Sequence, residues 1–269
     1  MSVSTIGAGV AFASADPTST STTNAPSLLD HFTTSYFGVY SGPSLSPNND
    51  FAGQPGPDGK EAGTQGLESY IGAFYKLGSS GFRVGANIDV VVESFREHTV
   101  TMNDPFASIV GSKFLDSHGW TMGGDVRVYT PISAASQTAN LLTGMRTDQW
   151  TSYTLGRWTA GAYTFARVNA FYGAGDGSNS DLLFDISPNA NYQLTERLAV
   201  TFWTDIVQLS NQRSHFGLTA WTNAPIDFQT GVAYQISKLW TVNPFINVYP
   251  GSMSVASTSL NAILIGKFY

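Results

Sequence analysis

Strict alternation between apolar and polar residues constrains this chain more than any other feature of its sequence. In an extended strand, successive side chains point to opposite faces of the sheet, so alternation gives one apolar and one polar face. In residues 82–93 (FRVGANIDVVVE), Val84 and Ile88 share one face. Arg83 and Asp89 share the other. A helix would scatter both sets around its circumference, so the pattern predicts a strand.

The same alternation recurs in segments about as long as a membrane crossing. A tilted barrel strand crosses a bilayer with about 9 to 11 residues, whereas strands of soluble proteins average about 5 to 6. The clear segments are 31–42, 67–77, 82–93, 120–130, 158–172, 182–193, 198–208, 227–237, 239–249 and 258–269. Two segments, 141–155 and 214–223, alternate more weakly. Accepting both segments gives twelve strands and rejecting both gives ten. Single-chain bacterial barrels have even numbers of strands, so this rule permits either count.

The connections between these segments are of two kinds. Short links at 78–81, 195–197 and 237–238 are typical of tight turns, and longer ones at 43–66, 94–118 and 250–257 are interpreted as loops. Short turns on one side and long loops on the other are the habit of outer-membrane barrels. Whether the turns at 195–197 and 237–238 lie on the same side depends on how the weak segments are counted.

Composition favours a chain that meets lipid. Charged residues make up 12% of the sequence, against about 25% in ordinary soluble domains. Mean hydropathy is close to zero, and no run approaches the roughly 20 apolar residues that a membrane helix needs. A membrane crossing would therefore be made by strands. The net charge of −6 argues against a nucleic-acid partner, which would require a basic surface.

The first thirty residues are predicted to lie outside the barrel. Residues 2–15 form a short run of small and apolar residues that ends in Ala13-Ser14-Ala15, the pattern that signal peptidase cuts after. Residues 16–26 (DPTSTSTTNAP) have no apolar period and are typical of a disordered leader. We therefore predict a signal-peptide remnant and leader over 1–30 and a barrel over 31–269.

Alternation alone does not say which face meets water, because a soluble sandwich or lipocalin-like barrel buries its apolar face. Aromatic residues near strand ends favour lipid, since interfacial girdles are expected there. These residues are Trp120, Trp158, Tyr172, Tyr192 and Trp240. The polar faces also carry both signs of charge, which a lumen can pair or hydrate.

The chain ends on an apolar strand that finishes Gly266-Lys267-Phe268-Tyr269. This ending resembles the C-terminal strand of Gram-negative bacterial outer-membrane β-barrel proteins, whose last residue is characteristically aromatic. The resemblance implies an all-β, transmembrane, up-and-down antiparallel β-barrel, and the segments counted above give it about twelve strands, with ten as the alternative. It also implies location in the bacterial outer membrane, with membrane lipid and the barrel-assembly machinery, which recognises the C-terminal strand, as partners.

The interior of such a barrel is expected to be narrow. About 8 strands leave an interior filled by side chains, and about 16 to 18 leave an aqueous channel. Bulky residues on the polar faces would narrow it further, namely Tyr129, Tyr163, Phe165, Trp203, Phe245 and Tyr249. We therefore predict a porin-like channel for ions or small polar solutes. A barrel plugged by its own side chains, serving structure or surface recognition, is the alternative.

Eight charged residues are the candidates for lining this lumen: Arg83, Asp89, Asp125, Arg127, Arg146, Arg167, Asp185 and Asp205. Opposed rows of these charges would set a transverse field that selects small ionic or dipolar solutes. Directly paired charges would only satisfy one another. The sequence does not give the register between strands, so both arrangements stay open.

An outer-membrane hydrolase is a less favoured alternative. Hydrolysis needs a nucleophile or activated water beside a base, and the four histidines do not form a cluster of that kind. Ser214 and His215 are neighbours, which point to opposite faces if the segment is extended. We predict neither catalytic residues nor a metal or cofactor site, and the absence of cysteine removes any thiolate chemistry.

Overall fold

The chain folds into a closed antiparallel β-barrel. The computed structural model describes residues 31–45, 65–94, 99–173, 179–211 and 221–268. Its strands are β1 (Phe32–Ser41), β2 (Gly66–Lys76), β3 (Phe82–Ser94), β4 (Thr99–Met102), β5 (Phe106–Ser117), β6 (Trp120–Tyr129), β7 (Leu141–Leu155), β8 (Trp158–Phe171), β9 (Leu182–Thr195), β10 (Leu198–Asp205), β11 (Val207–Asn211), β12 (Trp221–Asn223), β13 (Asp227–Gln235), β14 (Trp240–Val248) and β15 (Ser259–Phe268). A short helix, α1 (Ala134–Thr138), lies between β6 and β7.

These strands make twelve crossings, because three crossings are each built from two consecutive strands. β4 and β5 pair with successive parts of β3. β10 and β11 both pair with β9, and β12 and β13 pair with β11 and β10. Every crossing pairs with its sequence neighbours, and β1 closes the ring by pairing with β15 from Thr34↔Phe268 to Tyr40↔Ala262. Among the described strands, this closure leaves no free sheet edge, as a barrel in lipid requires.

The two ends of the barrel differ. The links at 77–81, 118–119, 156–157, 196–197 and 236–239 lie at one end, which we call the turn end, together with the start of β1 and the end of β15. Residues His118 and Gly119 have φ of 53° and 86°, the positive values that a type I′ hairpin requires. The opposite end, the loop end, carries the connection that contains α1 and the one with a 3-10 turn at Pro250–Ser252.

The outward face is apolar and the inward face is polar. Ile88 is 45% exposed on the outside of β3, whereas its neighbour Asp89 is 5% exposed on the inside. Phe184 and Asp185 on β9 repeat this arrangement, at 37% and 1%. Hydrocarbon, not water, suits the outer surface of such a barrel. Among the described residues, no helix is long and apolar enough to span a membrane.

Aromatic pairs surround the turn end. Ring centroids lie 5.0 Å apart for Trp120–Tyr153, 4.7 Å for Trp158–Tyr192 and 5.1 Å for Trp240–Phe268. Each pair joins the first residues of one strand to the last residues of its neighbour. This placement matches the interfacial girdle expected of outer-membrane barrels. Tyr172 lies at the loop end, just beyond β8.

The prediction of a long loop over 94–118 was wrong, since β4 and β5 occupy most of this segment. In β5, Phe106, Ser108 and Val110 face inward while Ala107 and Ile109 face outward. Because both faces carry apolar residues, the segment lacks the contrast by which the other strands are recognised. The break at 103–105, which contains Asp104 and Pro105, further disguises the crossing as a loop.

The prediction of a separate strand over 214–223 was also wrong. Residues 214–220 lie outside the described ranges, and Trp221–Asn223 belongs to the same crossing as Asp227–Gln235. The total of twelve was therefore correct because one missed strand offset one extra strand. The weak segment 141–155 is confirmed as β7. With this count, the turns at 195–197 and 237–238 both lie at the turn end.

Candidate channel lumen

All eight predicted lumen residues lie on inward-facing positions of the barrel. Asp89, Arg146, Asp185 and Asp205 are buried, at 5%, 8%, 1% and 1% exposure. The side chains of Asp125 and Arg127 are 9% and 18% exposed. Arg83 and Arg167 are half-buried. These orientations are the ones that parity within each strand gives, and the role of the residues in lining a channel stays a prediction.

Four charged residues on β6 and β7 pair directly with one another, and we call them the charge tetrad: Asp125, Arg127, Arg146 and Asp148. Arg127 contacts Asp125 at 3.0 Å and Asp148 at 3.1 Å. Arg146 contacts Asp148 at 2.8 Å through Nη2 and at 3.0 Å through Nε. Two guanidinium groups and two carboxylates thus balance to zero. The tetrad follows the paired arrangement, one of the two that the sequence left open.

The register between strands explains how the tetrad forms. Arg127 lies directly opposite Arg146, and Asp125 lies directly opposite Asp148. Like charges directly opposite each other destabilise a sheet. Each arginine therefore reaches a carboxylate two residues away along its own strand, and Arg127 also reaches diagonally to Asp148. Tyr163 on β8 completes the cluster by donating its hydroxyl to Asp148 and accepting from Arg146 at 2.6 Å.

Each of the four candidate arginines lies over an aromatic ring. A guanidinium above a ring face is attracted by the electron density of the ring, which compensates in part for lost water. The distances from guanidinium carbon to ring centroid are 4.8 Å for Arg83 over Phe74, 5.1 Å for Arg127 over Phe106, 3.9 Å for Arg146 over Phe165 and 4.4 Å for Arg167 over Tyr129. The aromatic residues inside the barrel thus hold the cations in place as well as narrowing the lumen.

Carboxylates and amides line the wall formed by β9 to β15. Asp205 accepts from the indole of Trp203 at 2.8 Å. The Gln229 amide donates to Asp227 at 3.1 Å and to Asp205 at 3.4 Å. Further along this wall, Asn243, Asn247, Ser259 and Asn261 are at most 5% exposed. The structure thus brings Asp205 close to an acid that was not among the candidates, Asp227.

A cluster of apolar side chains occupies the interior beside this wall, and we call it the apolar cluster. Its members are Val39, Tyr163, Phe165, Trp203, Phe245 and Ile263, each between 3% and 8% exposed. They come from β1, β8, β10, β14 and β15. Their burial shows that this part of the lumen is packed by the barrel's own side chains.

The other side of the interior holds a cavity of about 220 Å³. Residues from β1, β2, β3, β5, β6, β7 and β8 line it, including Arg83, Asp125, Arg127 and Arg146. The four candidates that meet here are therefore brought together in one space. Arg167, Asp89, Asp185 and Asp205 are not among its lining residues.

Sequence reasoning missed three residues that matter to this site. Asp148 lies in the weakly alternating segment 141–155 and was not among the candidates, and Tyr163 was counted only as a bulky group. Asp227 stands at the start of a recognised strand, on the same face as Gln229. The alternation that identified the eight candidates would also have identified Asp148 and Asp227.

The described histidines do not form a hydrolytic site. His118 lies in an exposed turn, where its Nδ1 is 2.6 Å from Ser117 Oγ. The adjacent Asp116 is engaged by Lys113 at 2.6 Å. His98 and His215 lie outside the described residues. Within the described ranges, no group of histidine or acidic residues is arranged to hold a metal ion.

Comparison with known proteins identifies a similar fold but no sequence family. No protein-family model and no curated protein matches the chain. The structure is similar to an outer membrane channel from Pseudomonas putida F1, with a TM-score of 0.55 and 9% identity over 88% of this chain and 96% of that one. It is also similar to the KdgM porin, with a TM-score of 0.46 and 8% identity over 88% and 98% of the chains. The first similarity shows a shared fold, that of an outer-membrane β-barrel.

Proposed function

We propose that this chain is a channel of the bacterial outer membrane that passes ions or small polar solutes through a narrow lumen. The observation that carries the proposal is the cavity of about 220 Å³ inside the barrel, which charged residues help to line. Membrane lipid, the barrel-assembly machinery and the transported solute are the partners that we propose with this function.

The arrangement of the interior supports a narrow, off-centre route. The apolar cluster fills the side of the lumen near β10, β14 and β15, so solutes would pass along the opposite wall, where the cavity lies. The tetrad is neutral as a whole and presents fixed dipoles to this route. Arg167 and Asp185 face inward but do not line the cavity, so their charges would act on the ion selectivity through their electric field along the route, without touching the solute.

Planar-bilayer recording of the purified, folded protein tests the proposal. We expect discrete conducting steps, and Arg167→Ala should shift the reversal potential in a salt gradient towards cation selectivity, because a lumen cation is lost. Asp185→Ala should shift it in the opposite direction. Arg197→Ala, in an exposed turn, is the matched control and should leave it unchanged. A correctly folded barrel that stays electrically silent would overturn the proposal.

A plugged barrel is the second candidate, and two observations favour it. The charges of the tetrad pair with one another, and each member of the apolar cluster is at most 8% exposed. Trp203→Ala distinguishes the two candidates, since removing the indole from the cluster enlarges the interior. For a channel, the variant adds to an existing conductance, whereas for a plug it creates conductance where the unaltered barrel has none.

A further inference from the structure

Among the described residues, one cation that lines the cavity forms no ion pair with a carboxylate. Arg127 and Arg146 are balanced by the carboxylates of the tetrad. Arg83 has no carboxylate within 4.0 Å among the described residues, and its buried Nε has no hydrogen-bond partner. An arginine N–H left unpaired in a buried position is costly, so this group is well suited to a ligand that accepts hydrogen bonds.

The Arg83 guanidinium lines the cavity, and an aromatic ring covers one of its faces. One face of the group lies over the ring of Phe74, 4.8 Å from the centroid. Ser35 and Asn87 also line the cavity and can contribute polar contacts. A carboxylate is the anion whose two oxygens match a guanidinium edge. Because one charge is uncompensated, a monoanion balances the cavity.

The remaining walls of the cavity are largely aromatic. Six of the lining residues carry rings: Phe37, Tyr70, Phe74, Phe106, Trp150 and Tyr163. Flat apolar walls favour a ligand with a planar apolar body, through burial of its surface and ring stacking. A strongly hydrated inorganic anion would lose its water there without replacement. The volume of about 220 Å³ is below the range of roughly 300 to 1,000 Å³ of ordinary ligand pockets, so the ligand is small.

We infer that this cavity binds a small organic monoanion, with its carboxylate on Arg83 and its planar apolar body against the aromatic walls. The inference deepens the proposed channel function and rests on it, because the solute reaches the cavity through the lumen. It assigns a charge and a shape to the solute. An arenecarboxylate such as benzoate is the simplest molecule with both properties.

Titration calorimetry of the folded barrel in detergent tests the inference with four probes. Benzoate should bind saturably at one site. Benzyl alcohol lacks the charge, acetate lacks the ring, and benzylammonium carries the opposite charge, so each should bind at least about tenfold more weakly, as expected when a charge-assisted hydrogen bond or a stacked ring is lost. Absence of saturable benzoate binding, or equal binding of benzyl alcohol, would overturn the inference without any variant being made.

Substitution of Arg83 then tests whether benzoate binds at this residue. Arg83→Gln should weaken benzoate binding by about tenfold or more, while Arg157→Gln should leave it unchanged, since Arg157 is exposed in a turn at the same end of the barrel. Unchanged affinity in folded Arg83→Gln would refute the site. The outcome is separable from that of the bilayer recording, because calorimetry needs no ion flow. A conducting barrel that ignores benzoate refutes only the inference, and a silent barrel that binds it refutes only the channel.

Discussion

Asp148 is the residue on which the charge balance of the lumen depends. Its side chain is 0% exposed, and it contacts two arginines and Tyr163. Removing one partner of a buried ion pair leaves the remaining charge unpaired, which costs more than the pair itself contributes. Here a single substitution would leave two guanidinium groups with only Asp125 between them.

We expect Asp148→Asn to lower the free energy of unfolding by about 3 kcal/mol, because it removes the shared carboxylate from a buried network. Urea unfolding in lipid vesicles, followed by tryptophan fluorescence, measures this. Asp116→Asn is the matched control, since its pair with Lys113 is more than half exposed and such pairs contribute about 0 to 1 kcal/mol. Equal losses for both variants would show that the tetrad has no special role.

For an individual charged residue, the sequence predicts which face of the barrel its side chain points to but not which residue it pairs with. Whether Arg146 faces the lumen follows from its parity within a strand, and the structure agrees. Its contact with Asp148 depends on side-chain reach, and its position opposite Arg127 depends on strand register. Register is set by the hairpins and by the closed ring as a whole, which no single segment encodes.

β5 shows why an element can escape recognition. Its lumen face includes Phe106 and Val110, which line the cavity, so the strand carries apolar residues on both faces. Inside a narrow barrel, an inward-facing side chain can pack against other side chains instead of contacting water. Such a residue can therefore be apolar. Alternation therefore identifies strands that face water-filled or charged parts of the lumen, and it fails where the lumen is packed.

If the outward face of β5 contacts lipid, a lysine introduced on this face should hinder folding into a membrane. Ile109 is outward-facing and 53% exposed in this strand. Ile109→Lys should therefore make folding into vesicles less favourable by up to about 2 to 4 kcal/mol, the range for a lysine on the lipid face of a barrel. Val100→Lys, at the loop end of the same crossing, should cost about 0 to 1 kcal/mol. Vesicle folding yield, scored by heat-modifiable gel migration, reports the difference. If both variants fold as well as the unaltered chain, this crossing does not meet hydrocarbon.

The molecule as a whole has an inverted distribution of residues, with apolar side chains outside and charged ones inside. A soluble barrel with the same alternation would carry the opposite distribution. The exposed Ile88 and the buried Asp89 follow the membrane arrangement, as do the aromatic pairs at the turn end. Closure of the ring between β1 and β15 satisfies the backbone without water.

Fluorescence quenching in vesicles tests this distribution most directly, because it reports which side chains contact lipid. The chain has no cysteine, so a single cysteine can be introduced and labelled at a chosen position. A fluorophore on Ile88→Cys should be quenched strongly by lipids brominated along their acyl chains. The same label on Asn87→Cys, one residue away and inside the barrel, should be quenched little by these lipids. Strong quenching at position 87 with none at position 88 would contradict the account.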